Sequence, residues 1–89
     1  GYMEKAIPFE TFTVQLQKGD VVYTFTDGFA DQFGGEKGKK FKYSQLKNHL
    51  VSMSDKPIKE QKNSLDTTFE SWKGNLEQVD DVCIIGIRI

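Results

Sequence analysis

The final eight residues of the chain constrain its fold more than any other segment. Residues 82–89 read Val-Cys-Ile-Ile-Gly-Ile-Arg-Ile and, apart from Arg88, carry no charged or polar side chain at either odd or even positions. A strand of this composition buries both of its faces, which predicts a central strand in a covered sheet. At a sheet edge, the same strand would present unpaired backbone groups and apolar side chains to other chains. We therefore expect a sheet with more strands than this chain supplies.

A β-hairpin is predicted in the first third of the chain. Apolar and polar residues alternate from Phe9 to Leu16, which indicates a strand with one buried face. Residues 18–20, Lys-Gly-Asp, favour a turn. Residues 21–26, Val-Val-Tyr-Thr-Phe-Thr, have the β-branched and aromatic composition of a second strand.

Two helices are predicted between this hairpin and the last strand. The first extends from Ser44, a suitable N-cap, to Met53. Its apolar face consists of Leu46, Leu50 and Met53. The second opens at Pro57 and is capped by Gly74. Its apolar stripe consists of Ile58, Leu65, Phe69 and Trp72.

The order of these elements predicts the fold class. Residues 27–42 contain several glycines and lysines and are predicted to form a loop. The order strand-strand-helix-helix-strand then indicates an α+β fold, in which both helices cover one face of a mixed or antiparallel sheet.

Composition narrows the partners and the cellular setting. Twelve basic and 13 acidic residues give a net charge of −1, which offers no electrostatic basis for binding nucleic acid or an anionic membrane. No apolar run in the sequence approaches the ~20 residues that span a bilayer. The single cysteine, Cys83, excludes an intrachain disulfide, favours a cytoplasmic setting and is expected to be a buried thiol. The first residue is Gly1 rather than Met, so we expect the native protein to continue upstream.

Carboxylates stand at the ends of two predicted strands. Asp27 follows the second strand and precedes Gly28, whereas Asp80 and Asp81 directly precede the last strand. If these strands pair antiparallel, Asp27 and Asp80 come to the same end of the sheet. Such carboxylates suit Mg²⁺ or Mn²⁺, and these ions activate water for attack on phosphorus. Ordinary turn and loop roles explain the same residues, so spacing alone leaves both interpretations open.

Two motifs resemble a known enzyme family. Residues 18–32, Lys-Gly-Asp-Val-Val-Tyr-Thr-Phe-Thr-Asp-Gly-Phe-Ala-Asp-Gln, resemble the late Thr-Asp-Gly motif of the protein phosphatase 2C-like (PPM) family. They are most similar to the branch named after sporulation stage II protein E. Residues 77–89 resemble the Asp-Asp motif that leads into that family's last core strand. Residues 39–41 and 72–74 are also similar to bacterial members, so the resemblance spans essentially the whole chain.

The resemblance implies roles for four residues of these motifs. Asp27 and Asp80 would be ligands of a dinuclear Mn²⁺ or Mg²⁺ centre. Asp81 would support the ligands or orient a metal-bound water, and Gly28 would permit a close backbone approach. Apart from the resemblance, Asp31 follows Asp27 by four residues and would reach the site through water or remain an ordinary surface carboxylate. No catalytic group is implied beyond the metal-bound water, because the family forms no phosphoenzyme.

The resemblance also implies a fold and a function. The family fold is a β-sandwich of two sheets with flanking helices, and residues 1–89 would form the C-terminal part of one such domain. The parent protein would be a serine/threonine phosphatase, acting typically on a phosphoserine of a bacterial regulatory protein of the anti-sigma factor antagonist type. By the same analogy, upstream regions would carry a sensor or a membrane anchor.

The chain departs from the family because the earlier metal-binding motifs have no counterpart in it. Each Mg²⁺-type ion takes about six oxygen ligands, so two carboxylates predict weak metal binding and little or no activity for this chain alone. Expected partners are the phosphoserine protein, the upstream half of the same domain, and a second copy paired through an open sheet edge. The alternatives are a pseudophosphatase or protein-interaction module without catalysis, and a purely structural domain.

Other notable residues have ordinary interpretations. The segment 34–40 departs from the Walker spacing of phosphate-binding loops. It is predicted to be solvated or to dock an acidic phosphoprotein surface. His49 is predicted to be a partly exposed residue of the first helix, and no nucleophile is spaced to use it. Phe69 and Trp72 are predicted to be core residues.

Overall fold

The computed structural model describes residues 9–16 and 19–89. Its elements are, in chain order, β1 (Glu10–Leu16), β2 (Gly19–Phe25), β3 (Phe33–Gly34), β4 (Lys39–Lys40), α1 (Tyr43–Met53), α2 (Ile58–Lys73) and β5 (Ile84–Arg88). The predicted order of strands and helices is confirmed, and the predicted loop at residues 27–42 contains one additional short hairpin, β3–β4. Residues 17 and 18 lie outside the described residues, so the predicted turn is covered only by Gly19 and Asp20, which belong to β2.

Strands β1, β2 and β5 form one antiparallel sheet with β2 in the centre. Phe25, the last residue of β2, lies opposite Glu10 of β1 and opposite Ile84 of β5. The predicted α+β class is confirmed, and the sheet is antiparallel throughout rather than mixed. This register places the end of β2 beside the start of β5.

Both helices pack on one face of this sheet, as predicted. Successive strand side chains point to opposite faces, and the buried set of β2 consists of Val21, Tyr23 and Phe25. The predicted face of α1 is buried against them and consists of Leu46, Leu50 and Met53. Aromatic rings extend the core beyond the end of β2. The ring centroid of Phe29 lies 5.0 Å from those of Phe41 and Phe69.

β5 lies at the edge of the described sheet, and its predicted central position, which requires strands beyond those of this chain, stays a prediction. Ile84 packs against the core, whereas Ile85 and Ile87 alternate to the opposite face and are 50% and 57% exposed. The strand begins at Ile84 rather than at residue 82, because the Cys83 amide donates to the Thr26 hydroxyl (3.2 Å) instead of to a backbone carbonyl. Cys83 itself is half-buried, not enclosed as predicted.

The helix boundaries agree with prediction at the end of α2 but not at the start of α1. α1 begins at Tyr43, and its N-cap position is held by Lys42 with φ of 80° and no side-chain capping bond. The predicted cap at Ser44 is therefore wrong. The Lys42 amide donates to the Ala30 carbonyl (2.7 Å), and this tertiary bond fixes where the helix begins. Gly74 caps α2 as predicted, and its amide donates into the last helical turn (3.0 Å).

Helix α2 presents the predicted apolar stripe only in part. Phe69 is buried, and Leu65 and Trp72 pack against the core, whereas Ile58 is exposed. Gln61, which the pattern of apolar residues does not single out, is buried in the same stripe.

Among the described residues, no helix combines the length and the apolar character needed to cross a membrane.

Gln61 ties α2 to the sheet. Its side-chain oxygen accepts a hydrogen bond from the Tyr23 hydroxyl (2.7 Å). Its side-chain nitrogen donates to the carbonyls of Lys56 (2.8 Å) and Ser54 (3.4 Å). Burial raises the pKa of Tyr23, an effect that the charge of Arg88 partly offsets. The turn between the helices is thereby fastened to the central strand through one buried amide.

His49 connects the two helices and is partly exposed, as predicted. Its Nε2 lies 3.1 Å from Ser64 Oγ and 3.5 Å from Thr68 Oγ1, both on α2. Burial between the helices lowers the pKa of His49 from its ordinary value of 6.5, because the charged ring loses solvation there. The folded state therefore favours the neutral imidazole.

We expect the free energy of unfolding to fall as the pH drops below 6.5, the ordinary pKa of this histidine. The unfolded chain takes up the His49 proton at a higher pH than the folded chain, so acid favours unfolding between the two pKa values. Above that range the contribution is constant. Urea unfolding from about pH 8 to about pH 5 should show this fall, and the profile of His49→Gln should be flatter. Identical profiles for the two proteins would contradict the expectation.

Candidate metal centre at one end of the sheet

Asp27 begins the turn that follows the central strand. Its carbonyl accepts a hydrogen bond from the Asp31 amide (2.8 Å), which closes the turn. The preceding residue, Thr26, is buried, whereas Asp27 is half-exposed. A rigid strand therefore fixes the backbone of Asp27 while its carboxylate lies at the rim of the sheet.

Thr26 and Gly28 hold the segment that precedes β5. The Thr26 hydroxyl donates to the Asp81 carbonyl (3.2 Å) and accepts from the Cys83 amide (3.2 Å). Gly28 lies so close to the Asp81 carbonyl that a Cβ atom there would overlap it. The structure thus brings the two acidic motifs together, as antiparallel pairing of their strands requires, and Gly28 makes the close backbone approach.

Asp80 and Asp81 lie on an exposed loop beside this turn. The Asp80 carboxylate accepts a hydrogen bond from the Asp81 amide (2.8 Å), which orients it. Within residues 9–16 and 19–89, neither Asp27 nor Asp80 forms an ion pair with a lysine or arginine. Within that part, the charges of both carboxylates are not neutralised by a basic side chain.

Among the described residues, Asp31 differs from Asp27 and Asp80 in having a lysine beside its carboxylate. Its carboxylate lies 3.7 Å from the Lys40 ammonium, so it is a surface carboxylate with a basic partner, and its action on a metal through water stays a prediction.

Tyr43, which sequence analysis did not single out, lies near the same acidic groups. Burial is the main cause that raises the pKa of Tyr43, and the negative charges of Glu10, Asp27 and Asp31 raise it further. Acidic side chains from β1 and from the turn after β2 therefore gather around Tyr43 at this end of the sheet.

The oxygen donors present fit part of a site for a hard divalent cation. Carboxylates are the ligands that Mg²⁺ and Mn²⁺ prefer, and Asp27 and Asp80 lie on adjoining segments. In the described part of the chain, no group of three or more His, Cys, Asp or Glu side chains is arranged to hold a metal ion. Two carboxylates supply a minority of the about six positions that such an ion takes. The ligand roles of Asp27 and Asp80 stay predictions.

Gln32 is a fully buried residue of this region that sequence analysis missed as a site residue. Its side chain lies between the turn that starts at Asp27 and the segment 77–79, with which it forms hydrogen bonds. A glutamine in a segment rich in glycine and lysine has no periodic neighbours that would indicate burial. Only its tertiary partners reveal its position.

The β3–β4 hairpin carries exposed lysines beside the turn that starts at Asp27. The hairpin packs against Trp72 of α2. A Cβ atom at Gly34 would overlap the Trp72 backbone, so the hairpin approaches α2 through glycine. The Gly35 amide donates to the Trp72 carbonyl (3.0 Å). The exposed lysines of this region are Lys37, Lys39, Lys40 and Lys42. Trp72 is thus both a core residue and the base on which the hairpin rests.

Comparison with known proteins finds a family that matches the whole chain and a solved structure that matches most of it. The family described as Stage II sporulation protein E (SpoIIE) matches residues 1–89. Among solved structures, the SiaA-PP2C domain of Pseudomonas aeruginosa is similar, with 33% sequence identity and a TM-score of 0.76. The match covers 79% of this chain and 28% of that chain. No curated protein matches.

Replacing Thr26 with valine should destabilise the protein by about 1–3 kcal/mol. Valine keeps the shape of threonine but leaves the Asp81 carbonyl and the Cys83 amide without their shared hydroxyl partner. Urea unfolding measures the loss. Thr24→Val is the matched control, because the described residues provide no hydrogen bond to the half-exposed Thr24 hydroxyl, and its effect should stay within about 0.5 kcal/mol. Equal losses in the two variants would contradict the structural role of Thr26.

Proposed function

The chain belongs to the stage II sporulation protein E family, and we propose that it forms the C-terminal part of a metal-dependent phosphatase domain that hydrolyses phosphoserine on a bacterial regulatory protein. The family and the similar PP2C domain support phosphatase chemistry at the coarse level. The observation that carries the proposal for this chain is the hydrogen-bonded junction that holds the Asp27 turn against the Asp80 loop.

Asp27 and Asp80 are the residues that would hold the metal. A bound Mn²⁺ or Mg²⁺ supplies an activated water and neutralises the charge of the phosphate. The chain contributes the position of the carboxylates: β2 fixes Asp27, and the Asp81 amide orients the Asp80 side chain (2.8 Å). Gly28 lets the two segments lie in contact. Asp31, held by Lys40, lies on the same turn, where it could support the ligands through water.

The remaining ligands are proposed to come from the upstream half of the domain. The chain spans 28% of the solved PP2C chain that it matches. Two carboxylates leave most of the positions around a hard cation to other donors. We therefore expect the isolated chain to be inactive, and the activity to belong to the longer protein.

Phosphate release in the presence of Mn²⁺ tests the proposal. The assay compares this chain with a protein extended upstream by roughly a hundred residues, toward ordinary domain size, on serine- and threonine-phosphorylated proteins. Only the extended protein should be active, with the faster rate on phosphoserine. Asp27→Asn and Asp80→Asn should each lower its activity by about 100-fold or more, because loss of a group that only supports a metal ligand already costs about 10- to 100-fold.

Asp55→Asn is the matched control for these variants. Asp55 is an exposed carboxylate in the turn between α1 and α2. Arg88, at the far end of β5 from the acidic loop, bonds to that turn through the Lys56 carbonyl (2.7 Å), so the turn is distant from the site. Asp55→Asn should leave the rate unchanged. A folded, extended protein that releases no phosphate with any divalent metal would favour a pseudophosphatase or interaction module instead.

Among the described residues β5 pairs with a strand on one side only, and its other side is proposed to receive the upstream half of the domain. Ile85 and Ile87 on its outer face are half-exposed, and the outer residues of β2 beside them, Val22 and Thr24, are only partly covered. An apolar edge strand pairs readily with another strand. In the isolated chain, the same edge is open to a second copy.

We expect the isolated chain to self-associate at high concentration and the extended protein to be monomeric. Sedimentation velocity measures both. Substituting Ile85→Lys together with Ile87→Lys should make the isolated chain monomeric, because charged side chains on an edge strand oppose its pairing with another strand. Ser44→Lys together with Asn48→Lys adds the same charge on the exposed side of α1 and should leave association unchanged. A monomeric wild-type chain at high concentration would contradict the expectation.

A further inference from the structure

Gln32 uses its buried side chain to bind two separate segments. It is fully buried, and its side-chain nitrogen donates to the carbonyls of Phe33 (3.0 Å) and Glu77 (2.8 Å). Its side-chain oxygen accepts from the Val79 amide (3.3 Å). Three of the four hydrogen bonds that a glutamine amide can form are therefore made within the protein.

The backbone of Gln32 is itself held in place. Its carbonyl accepts hydrogen bonds from the Phe41 amide (3.0 Å) and from the Trp72 indole nitrogen (2.8 Å). These partners lie just after β4 and near the end of α2, so both are parts of the packed core. Gln32 is consequently a fixed point between the Asp27 turn and the core.

The segment that Gln32 holds has little other support. Residues 77–80 are exposed and belong to no helix or strand. Within the described part of the chain, the hydrogen bonds that join residues 77–79 to distant parts of the fold both come from Gln32, one at Glu77 and one at Val79. Val79 directly precedes Asp80. The position of Asp80 is therefore determined on one side by Gln32 and on the other by the junction at Thr26.

We infer that Gln32 is a positioning residue, which holds Asp80 in register with Asp27 and thereby sets the metal affinity of the proposed centre. The inference rests on the proposed function and adds a residue to it. Gln32 touches neither metal nor substrate and acts through the backbone of residues 77–79. Its loss should weaken metal binding, because a mobile Asp80 must be ordered each time an ion binds.

Gln32→Met is the informative variant, since methionine has a similar length and no hydrogen-bonding amide. In the protein extended upstream, calorimetric titration should show Mn²⁺ binding weakened by about 10- to 100-fold, as for the loss of other groups that orient metal ligands. In the same protein without metal, amide hydrogen exchange at residues 78–81 should become faster, because the segment loses its anchor. If Gln32→Met does not fold, Gln32→Asn keeps the amide but withdraws it by one methylene and serves for the same comparison.

Gln61→Met is the matched control. Gln61 is also buried and also bonds through its side chain to three groups, but these are Tyr23, Lys56 and Ser54 at the other end of α2. Both variants should lower stability, and only Gln32→Met should change Mn²⁺ affinity and exchange at residues 78–81. Equal effects of the two variants on Mn²⁺ affinity, or unchanged affinity in Gln32→Met, would overturn the inference. If the wild-type extended protein binds no Mn²⁺, the proposed function fails, and exchange at Val79 alone decides whether Gln32 anchors the segment.

Discussion

The pairing of β2 with β5 is the interaction on which the rest of the structure depends. It joins Phe25 to Ile84 across the sheet, and through that register it brings the turn after β2 to the loop before β5. The helices then cover the inner face of β2, so the strand that fixes the acidic turn is also the centre of the core. At the end of the ladder, the Thr26 hydroxyl takes the place of a backbone acceptor. β2 therefore contributes both to the packing of the core and to the position of the acidic turn in the candidate site.

The sequence predicts the long elements of the fold because their periodicity reports which face is buried. The order of strands and helices along the chain and the α+β class follow from that pattern. What it misses depends on contacts between distant residues. Ser44 has the chemistry of a cap, yet the bond from the Lys42 amide to Ala30 starts the helix earlier. The β3–β4 hairpin has two-residue strands, too short for periodicity, and rests on Trp72. Among the described residues β5 lies at an edge of the sheet, a position that the apolar pattern of residues 82–89 does not predict.

In the candidate site, too, some residues can be predicted from the sequence and others cannot. The ligand roles of Asp27 and Asp80 stay predictions, but the positions of both residues at one end of the sheet are predictable, because each stands in a recognisable motif beside a strand. Gln32 and Gln61 are not, since a glutamine gains a structural role only from the carbonyls and amides around it. Both are buried and hydrogen-bonded to segments that lack regular structure. Buried amides of this kind hold backbone more specifically than apolar contacts do, because a hydrogen bond fixes both distance and direction.

The junction at Thr26 has a further consequence for the order of folding. Its hydroxyl and the Cys83 amide are 57 residues apart in the chain, whereas β1 and β2 are neighbours in sequence. Closing a long loop costs more entropy than closing a short one, and distant contacts slow folding relative to local ones. The hairpin and the helices are therefore expected to form before β5 docks. The two acidic segments then meet only in the final step, so a partly folded chain carries both carboxylates without the arrangement that joins them.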